Sequence, residues 1–396
     1  MPIPSPFHSR TAPLSRSHEW RDWSGYLAAG MYEVTHEHEY YAVRNSAALF
    51  DISPLFKYEV VGPEARRLVD RIMTRDMTGC AVGQVIYSPW CDDDGRLIDD
   101  GTITRLAENR FRLTTADPHL RWFQDCGFGL QATVTDCSTD LAALALQGPT
   151  ARLILGQILR GIDLAGLKFF HYAAGQVAGF PVGVSRTGYT GDLGYELWVV
   201  PEYAEALWDR LMTAGRPYNI VPAGMVALDM ARIEAGFPLI EVDYIPVQQA
   251  LTPAQTSSPY EVGMGWAVAL HKANFVGRKA LAAEKERGST WALVGLEAHW
   301  PDIEALYQAI DLTPTLAGRA LRGSVPVYQA GQQIGQVTSH TYSPLLKKYI
   351  GLASIKRDYV QVGGAVDMEM TVEFSRHTVR ATMTKLPFFN PSRKRA

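Results

Sequence analysis

Val366-Asp367-Met368-Glu369-Met370-Thr371-Val372-Glu373-Phe374 alternates apolar and polar side chains without a break. Successive side chains of a strand point to opposite faces, so this period of two predicts a strand with one wet and one buried face. Toward the N-terminus, Tyr349–Ala353, Gln332–Val337, Val325–Tyr328 and Trp291–Leu296 repeat the strand-like composition at short spacing, with glycine turns between them. The helical signal fades after about residue 285. Short, closely spaced strands of this kind predict a small C-terminal β-barrel over residues 286–396.

Further upstream the periodicity is mixed. Lys57–Val61 reads as a strand closed by Gly62-Pro63, and Glu64–Thr74 carries helical spacing at Leu68, Val69 and Met73. Phe111–Thr115, Ala132–Thr135 and Leu141–Leu146 are strand-like; Ala151–Leu159, Tyr203–Met212 and Gly224–Ala235 are helix-like. Strands and helices without regular βαβ repetition predict an α+β fold. Residues 1–30, with Pro2, Pro4, Pro6 and Pro13, read as an extended N-terminal arm, which leaves a two-lobed region over 31–285. Residues 246–260 read as a loop on the surface or over a cleft.

The chain has 396 residues, room for two to four domains at roughly 100–200 residues each. A net charge of −3, from 38 basic and 41 acidic residues, gives no drive toward nucleic acid or an anionic membrane. No apolar run approaches the roughly 18 residues of a membrane span, and the N-terminus lacks an apolar signal core. Cys80, Cys91, Cys126 and Cys137 form no CxxC pair and read as reduced thiols of a cytoplasmic protein.

Several motifs fail on inspection. His36-Glu37-His38 is not HExxH and reads as a solvated helix face, so no metal is expected. There is no GxSxG elbow for a hydrolytic serine. Gly188-Tyr-Thr-Gly191-Asp-Leu-Gly194 is neither a Walker loop nor GxGxxG. Asp92-Asp93-Asp94-Gly95 lacks the alternating oxygens of a calcium loop and reads as an acidic turn between two strands.

Four segments in order carry a resemblance: Asn45–Ser53 (NSAALFDIS), Gly95–Asp100 (GRLIDD), Arg186–Glu196 (RTGYTGDLGYE) and Arg232–Gly236 (RIEAG). Together with Ala145-Leu-Gln-Gly-Pro149, Phe275–Leu281 and Tyr342-Ser-Pro344, they resemble the aminomethyltransferase family typified by the glycine cleavage T-protein, from about residue 30 to 390. The resemblance implies a three-domain clover-leaf around a channel for tetrahydrofolate, and transfer of a one-carbon unit to that folate. It also implies pterin contacts at Tyr87, Tyr189 and Glu196, and an essential aspartate at Asp99. Trp198, beside Glu196, is a further candidate wall of the folate site.

The chemistry agrees with those residue types. A carboxylate such as Glu196 accepts two N–H donors from the pterin edge, each charge-assisted bond contributing roughly 1.5–3 kcal/mol. A fixed carboxylate at Asp99 can stabilise positive charge at the transferring carbon or take a proton afterwards. Asp100, the next residue of an extended strand, then points to the other face.

The departures bear on the donor. Leu228 stands where the T-protein has a pterin-binding arginine, and Ser53-Pro54-Leu55 replaces a stretch with histidine and methionine. With Leu55 as an apolar wall, and Asp243 and Tyr244 as candidate donor contacts, the expected activity is demethylation of a small N-, S- or O-methyl donor, giving 5-methyl-tetrahydrofolate. The alternative is the T-protein aminomethyltransferase reaction, with a lipoyl carrier protein as partner and 5,10-methylene-tetrahydrofolate as product. A non-catalytic folate-binding maturation factor is the rival of another class. It is disfavoured because the region comparable to that group's K-G-C-Y-x-G-Q stretch reads Asn274-Phe-Val-Gly-Arg278-Lys279, without the cysteine.

Overall fold

In the computed structural model, which describes residues 1–395, the alternating stretch forms the strand Ala365–Val372 of a closed six-stranded barrel. Its partners around the ring are Ser375–Thr384, Trp291–Ala298, Lys348–Lys356, Gln332–Ser343 and Val325–Gln329. Val366, Met368, Met370 and Val372 point inward against Leu296, Ile355 and Met383. The strand stops at Val372 because Glu373 and Phe374 take φ of 41° and 68°, the left-handed pair that a two-residue hairpin turn requires. Phe374 is therefore a turn-tip residue, 99% exposed, and not the last inward position of the alternation.

The barrel region also holds a helix, Trp300–Gln308, where the sequence reading expects only strands. Pro301 in its first turn, Asp302 beside it, and Ile303 and Tyr307 buried four residues apart are sufficient to form and seat it.

Two sheets precede the barrel. The larger has seven strands in the order Leu159–Arg160, Tyr172–Val177, Phe180–Ser185, Gly194–Val199, Ala142–Gln147, Ala47–Asp51 and Ile220–Pro222. The smaller has five: Val85–Cys91, Leu97–Ala107, Arg110–Thr115, Phe56–Val61 and Thr133–Asp136. Each sheet buries one face under its own helices. Leu144, Leu146, Val182, Val184, Tyr195 and Leu197 form one core, beneath the helices Ala151–Ile158 and Ala204–Gly215. Tyr58, Val60, Trp90, Ile103, Phe111 and Leu113 form the other, beneath Ala65–Ile72 and Leu120–Cys126. Each fully buried aliphatic side chain contributes roughly 1.5–3 kcal/mol, which fixes the register of the alternating strands. The uncovered faces meet, and the Arg112 guanidinium of the smaller sheet lies 4.0 Å from the Trp198 ring of the larger.

Residues 1–30 are not an extended arm. They form the short helix His8–Thr11 and a three-stranded sheet of Ile3–Pro4, Tyr26–Ala29 and Trp20–Trp23. Fully buried Phe7, against Trp208, supplies an apolar anchor that outweighs the prolines. No described helix is long and apolar enough to cross a membrane.

Candidate functional site

The hairpin of Val85–Cys91 and Leu97–Ala107 pairs Trp90 with Asp99, Pro89 with Asp100 and Tyr87 with Thr102. Because neighbours in a strand alternate, Asp99 and Asp100 point to opposite faces. Asp99 shares its face with Trp90 and Ile103, on the helix-covered core side, and is completely buried. One carboxylate oxygen accepts the Asp117 N–H at 3.2 Å and lies 2.9 Å from His119 Nε2; the other accepts the Asp100 N–H at 2.7 Å. The expectation that Asp99 faces the channel is thus corrected. The helices cover its side of the sheet; one oxygen is held by the loop Asp117–His119, and the other by the Asp100 N–H and, at 3.4 Å, by the Tyr244 hydroxyl that also reaches Asp100.

Asp100 is the half-buried member of the pair, on the face turned toward the larger sheet. Its two oxygens accept the Tyr87 hydroxyl, at 2.7 Å, and the Tyr244 hydroxyl. Burial, then the neighbouring Asp99 charge, pushes the Asp100 carboxyl up to about 7, against the lowering effect of the two phenols. Tyr87 also stacks on Trp266, with ring centres 6.0 Å apart and planes 19° apart.

Tyr189 stands near this group. Its hydroxyl donates to the Pro238 carbonyl at 2.6 Å and its ring stacks on Phe237 at 5.6 Å. The glycines around it have a structural cause. A Cβ on Gly188 or Gly194 would lie 2.0 Å or 2.2 Å from the Gln147 amide oxygen, the same amide that accepts Thr190 Oγ1 at 2.9 Å. Gly191 sits at φ +74°, and a Cβ there would lie 2.5 Å from the Ala235 Cβ.

Glu196 is half-buried on the face of the larger sheet that looks at the smaller one, beside Trp198 two residues on. Its carboxylate accepts Thr187 Oγ1 at 2.6 Å and Ser185 Oγ at 3.4 Å, while burial raises its pKa. Trp198 does not offer an open ring. It is buried, its indole N–H donates to Ser185 Oγ at 3.1 Å, and Arg112 covers one face of it. Arg112 was not singled out in the sequence. The one available signal was an arginine inside Phe111-Arg112-Leu113, a strand with both faces buried.

The remaining sequence candidates divide. Tyr244 does reach the Asp100 carboxylate. Asp243 does not reach a ligand: it is buried in an ion pair with Arg232 Nη1 at 2.5 Å and accepts Thr338 and Ser339 hydroxyls from the barrel. Leu55 and Leu228 pack into one apolar cluster with Trp23, Phe50 and Ala223. Leu228 thus faces the N-terminal sheet rather than the tyrosine–aspartate group. His36 precedes the helix Glu37–Asn45 and is buried, while Glu37 and His38 are exposed. No cluster of three or more His, Cys, Asp or Glu among the described residues is arranged to hold a metal ion, and all four cysteines are free.

A carboxylate between two phenols, on a sheet face that also carries Arg112, combines hydrogen-bond acceptors, aromatic faces and a negative charge that favours a nearby positive one. Comparison with known proteins agrees with that arrangement of sheets and barrel. The GCVT N-terminal domain model matches residues 10–272 and the glycine cleavage T-protein C-terminal barrel domain matches residues 309–390. The chain belongs to the glycine cleavage T-protein family. The aminomethyltransferase of Halothermothrix orenii is 33% identical over 375 residues, 93% of this chain and 95% of that one. That of Moorella thermoacetica is 35% identical over 379 residues, 94% of each. The crystal structure of aminomethyltransferase T from Bartonella henselae superposes with a TM-score of 0.82 at 24% identity, covering 98% of this chain and 99% of that one. In T-protein terms, the segments that carried the resemblance split into two groups. GRLIDD and RTGYTGDLGYE carry Asp100, Tyr189 and Glu196, whereas Arg232 and Glu234 of RIEAG are buried in ion pairs that join the helix Met225–Glu234 to its neighbours.

Proposed function

We propose that this chain is a tetrahydrofolate-dependent one-carbon transferase of the aminomethyltransferase type, with Asp100 as the carboxylate at the reacting centre. The observation that carries this reading is the Asp100 carboxylate held by Tyr87 and Tyr244 on the face that meets Glu196. Glu196, Tyr189 and Tyr87 would hold the pterin, and Arg112, a buried cation whose Nε and Nη2 have no hydrogen-bond partner among the described residues, fits a polar ring beside them. When bound, tetrahydrofolate supplies the nitrogen that accepts the one-carbon unit. The chain's own part is electrostatic: an ionised Asp100, fixed by two hydroxyl donors, favours positive charge at the transferring carbon and can take up a proton afterwards.

The names of the relatives favour an aminomethyl donor over the small methyl donor expected from the sequence. The Asp243–Arg232 pair weakens the case for a cationic methyl donor, since that carboxylate is already neutralised. One feature still favours demethylation of an oxygen: the Tyr244 hydroxyl, next to Asp100, is a proton source for a departing alkoxide or phenoxide. Turnover assays separate the two. With tetrahydrofolate and an aminomethyl-lipoyl carrier protein the expected product is the methylene folate; turnover only with an N-, S- or O-methyl compound establishes the demethylase instead.

Two further outcomes are expected. Glu196→Ala weakens tetrahydrofolate binding 10-fold or more in titration calorimetry, from loss of charge-assisted bonds of about 1.5–3 kcal/mol. Equal affinities in the two proteins would remove Glu196 from the site. Second, kcat/KM rises with pH through about 7 as Asp100 ionises, and Tyr244→Phe moves that limb to higher pH. The sign follows from the hydrogen bond: the phenol stabilises the carboxylate, so its loss favours the protonated form. A limb that stays in place or moves down contradicts the assignment.

A further inference from the structure

Arg112 lies in the strand Arg110–Thr115 and is 3% exposed. Its guanidinium stacks 4.0 Å above the Trp198 ring and 5.5 Å from the Tyr172 ring. Nε and Nη2 are both buried and have no hydrogen-bond partner, and the side chain makes no ion pair among the described residues. Glu196, whose charge acts on Arg112, gives its hydrogen bonds to Ser185 and Thr187 instead. A buried cation with idle donors is costly in the free protein, because the lost hydration is not replaced. The structure keeps that cost on the wall of the recess, beside the carboxylate assigned to the pterin. A donor-only group next to an acceptor-only group matches one edge of a 2-amino-4-oxo pterin, where N–H donors adjoin a carbonyl oxygen.

Resting on the folate reading above, we propose that Arg112 recognises the 4-carbonyl oxygen of the pterin, and that it makes the site select 4-oxo over 4-amino pterins. Glu196 takes the N–H edge and Arg112 takes the neighbouring oxygen. Trp198 and its bond to Ser185 act as the platform that orients the guanidinium. A 4-amino group would bring its own N–H donors against a residue that can accept nothing, leaving both sides unpaired.

Along the strand Leu97–Ala107, Asp100 and Thr104 share a face, and Thr104 pairs with Arg112. Four residues at about 3.3 Å each set Arg112 roughly 13 Å along the sheet from the Asp100 level. Arg112 is thus remote from the reacting group, so its effect is on ligand choice and not on the chemical step.

The test is a binding titration of the full chain with tetrahydrofolate and with tetrahydroaminopterin, its 4-amino counterpart. Wild-type protein should prefer the 4-oxo compound 10-fold or more, and Arg112→Met should weaken tetrahydrofolate binding about 10-fold or more while compressing the preference to within about threefold. Ligand-free Arg112→Met should also melt at a higher temperature than wild type, because an unpartnered buried charge has gone; a structural arginine would give a lower one. A folded Arg112→Met protein with the wild-type preference overturns the role of Arg112 while leaving the folate reading intact. Wild-type protein that binds neither compound overturns the folate reading itself. Should Arg112→Met fail to fold, Arg112→Lys takes its place. A reduced preference there supports the proposal, since a point charge does not reproduce a stacked planar donor; an unchanged one overturns it.

Discussion

Asp100→Asn is expected to lower kcat by about 10²–10³-fold while leaving the protein folded and tetrahydrofolate affinity within a few fold. The amide keeps the shape that Tyr87 and Tyr244 grip but removes the charge that would face the transferring carbon. The same substitution should stabilise the protein at pH 8. The native Asp100 carboxyl is raised to about 7 from an ordinary 3.8, so the folded state binds its proton more tightly than the unfolded state does. Stability therefore falls as pH rises from about 4 to about 7, and above 7 the full penalty of an ionised, buried Asp100 is present. Removing that carboxylate raises Tm at pH 8 and changes it little at pH 4. Asp99→Asn should do the opposite. Its carboxylate accepts from Asp117, Asp100, His119 and, at 3.4 Å, the Tyr244 hydroxyl, so an amide N–H there meets other donors and costs about 1–3 kcal/mol. Turnover per folded molecule should stay within about tenfold. Thermal melts at both pH values, with single-turnover rates, decide it. An active Asp100→Asn protein, or an Asp99→Asn protein with normal Tm and no rate, reverses the assignment.

That reversal marks where the sequence stops. Alternation told that only one of Asp99 and Asp100 faces the recess. Which one depends on the side to which the helices Ala65–Ile72 and Leu120–Cys126 pack, and no local pattern in Ile98-Asp99-Asp100 carries that information. The barrel was legible because Ala365–Val372 alternates over its length and strand-like runs separated by glycine turns precede it at short spacing, although Gln332–Ser343 and Lys348–Lys356 do not themselves alternate. The helix Trp300–Gln308 was hidden among strands although Pro301, Asp302, Ile303 and Tyr307 spell it, because it is a short insertion in a β-rich context. Phe7 shows the same limit at the N-terminus: its partner Trp208 is distant in sequence, so proline content alone suggested an arm. Asp243 looked available because its neutralisers are remote. Arg232 is on the preceding helix, and Thr338 and Ser339 come from the barrel. Glu196 and Tyr189 became candidates through their motif, while Arg112, in no motif, emerged as a candidate only when two sheets were brought face to face.

The RIEAG stretch illustrates how a family signature can be structural, and it yields the second large effect. Glu234, fully buried, accepts Arg44 Nε at 2.9 Å and Nη2 at 2.6 Å, the Tyr40 hydroxyl, and Ser343 Oγ at 2.5 Å. It thereby ties the helix Met225–Glu234 to the helix Glu37–Asn45 and to the barrel strand Gln332–Ser343. Glu234→Ala leaves the Arg44 guanidinium buried, with Asp192, 3.6 Å away, as its remaining counter-ion. Breaking a buried pair from one side costs about 3–5 kcal/mol. For a chain of 396 residues that is a fall in Tm of about 4–6 °C. The loss belongs to the uncompensated charge more than to the contact itself. Arg44→Met combined with Glu234→Leu should therefore be more stable than Glu234→Ala alone, although it removes more atoms from the native network. Denaturant unfolding of the wild-type protein and the two variants gives their order of stability. If Glu234→Ala costs under about 1 kcal/mol, or if the double variant is the least stable of the set, the network does not bind the barrel to the sheets in the way its hydrogen bonds imply.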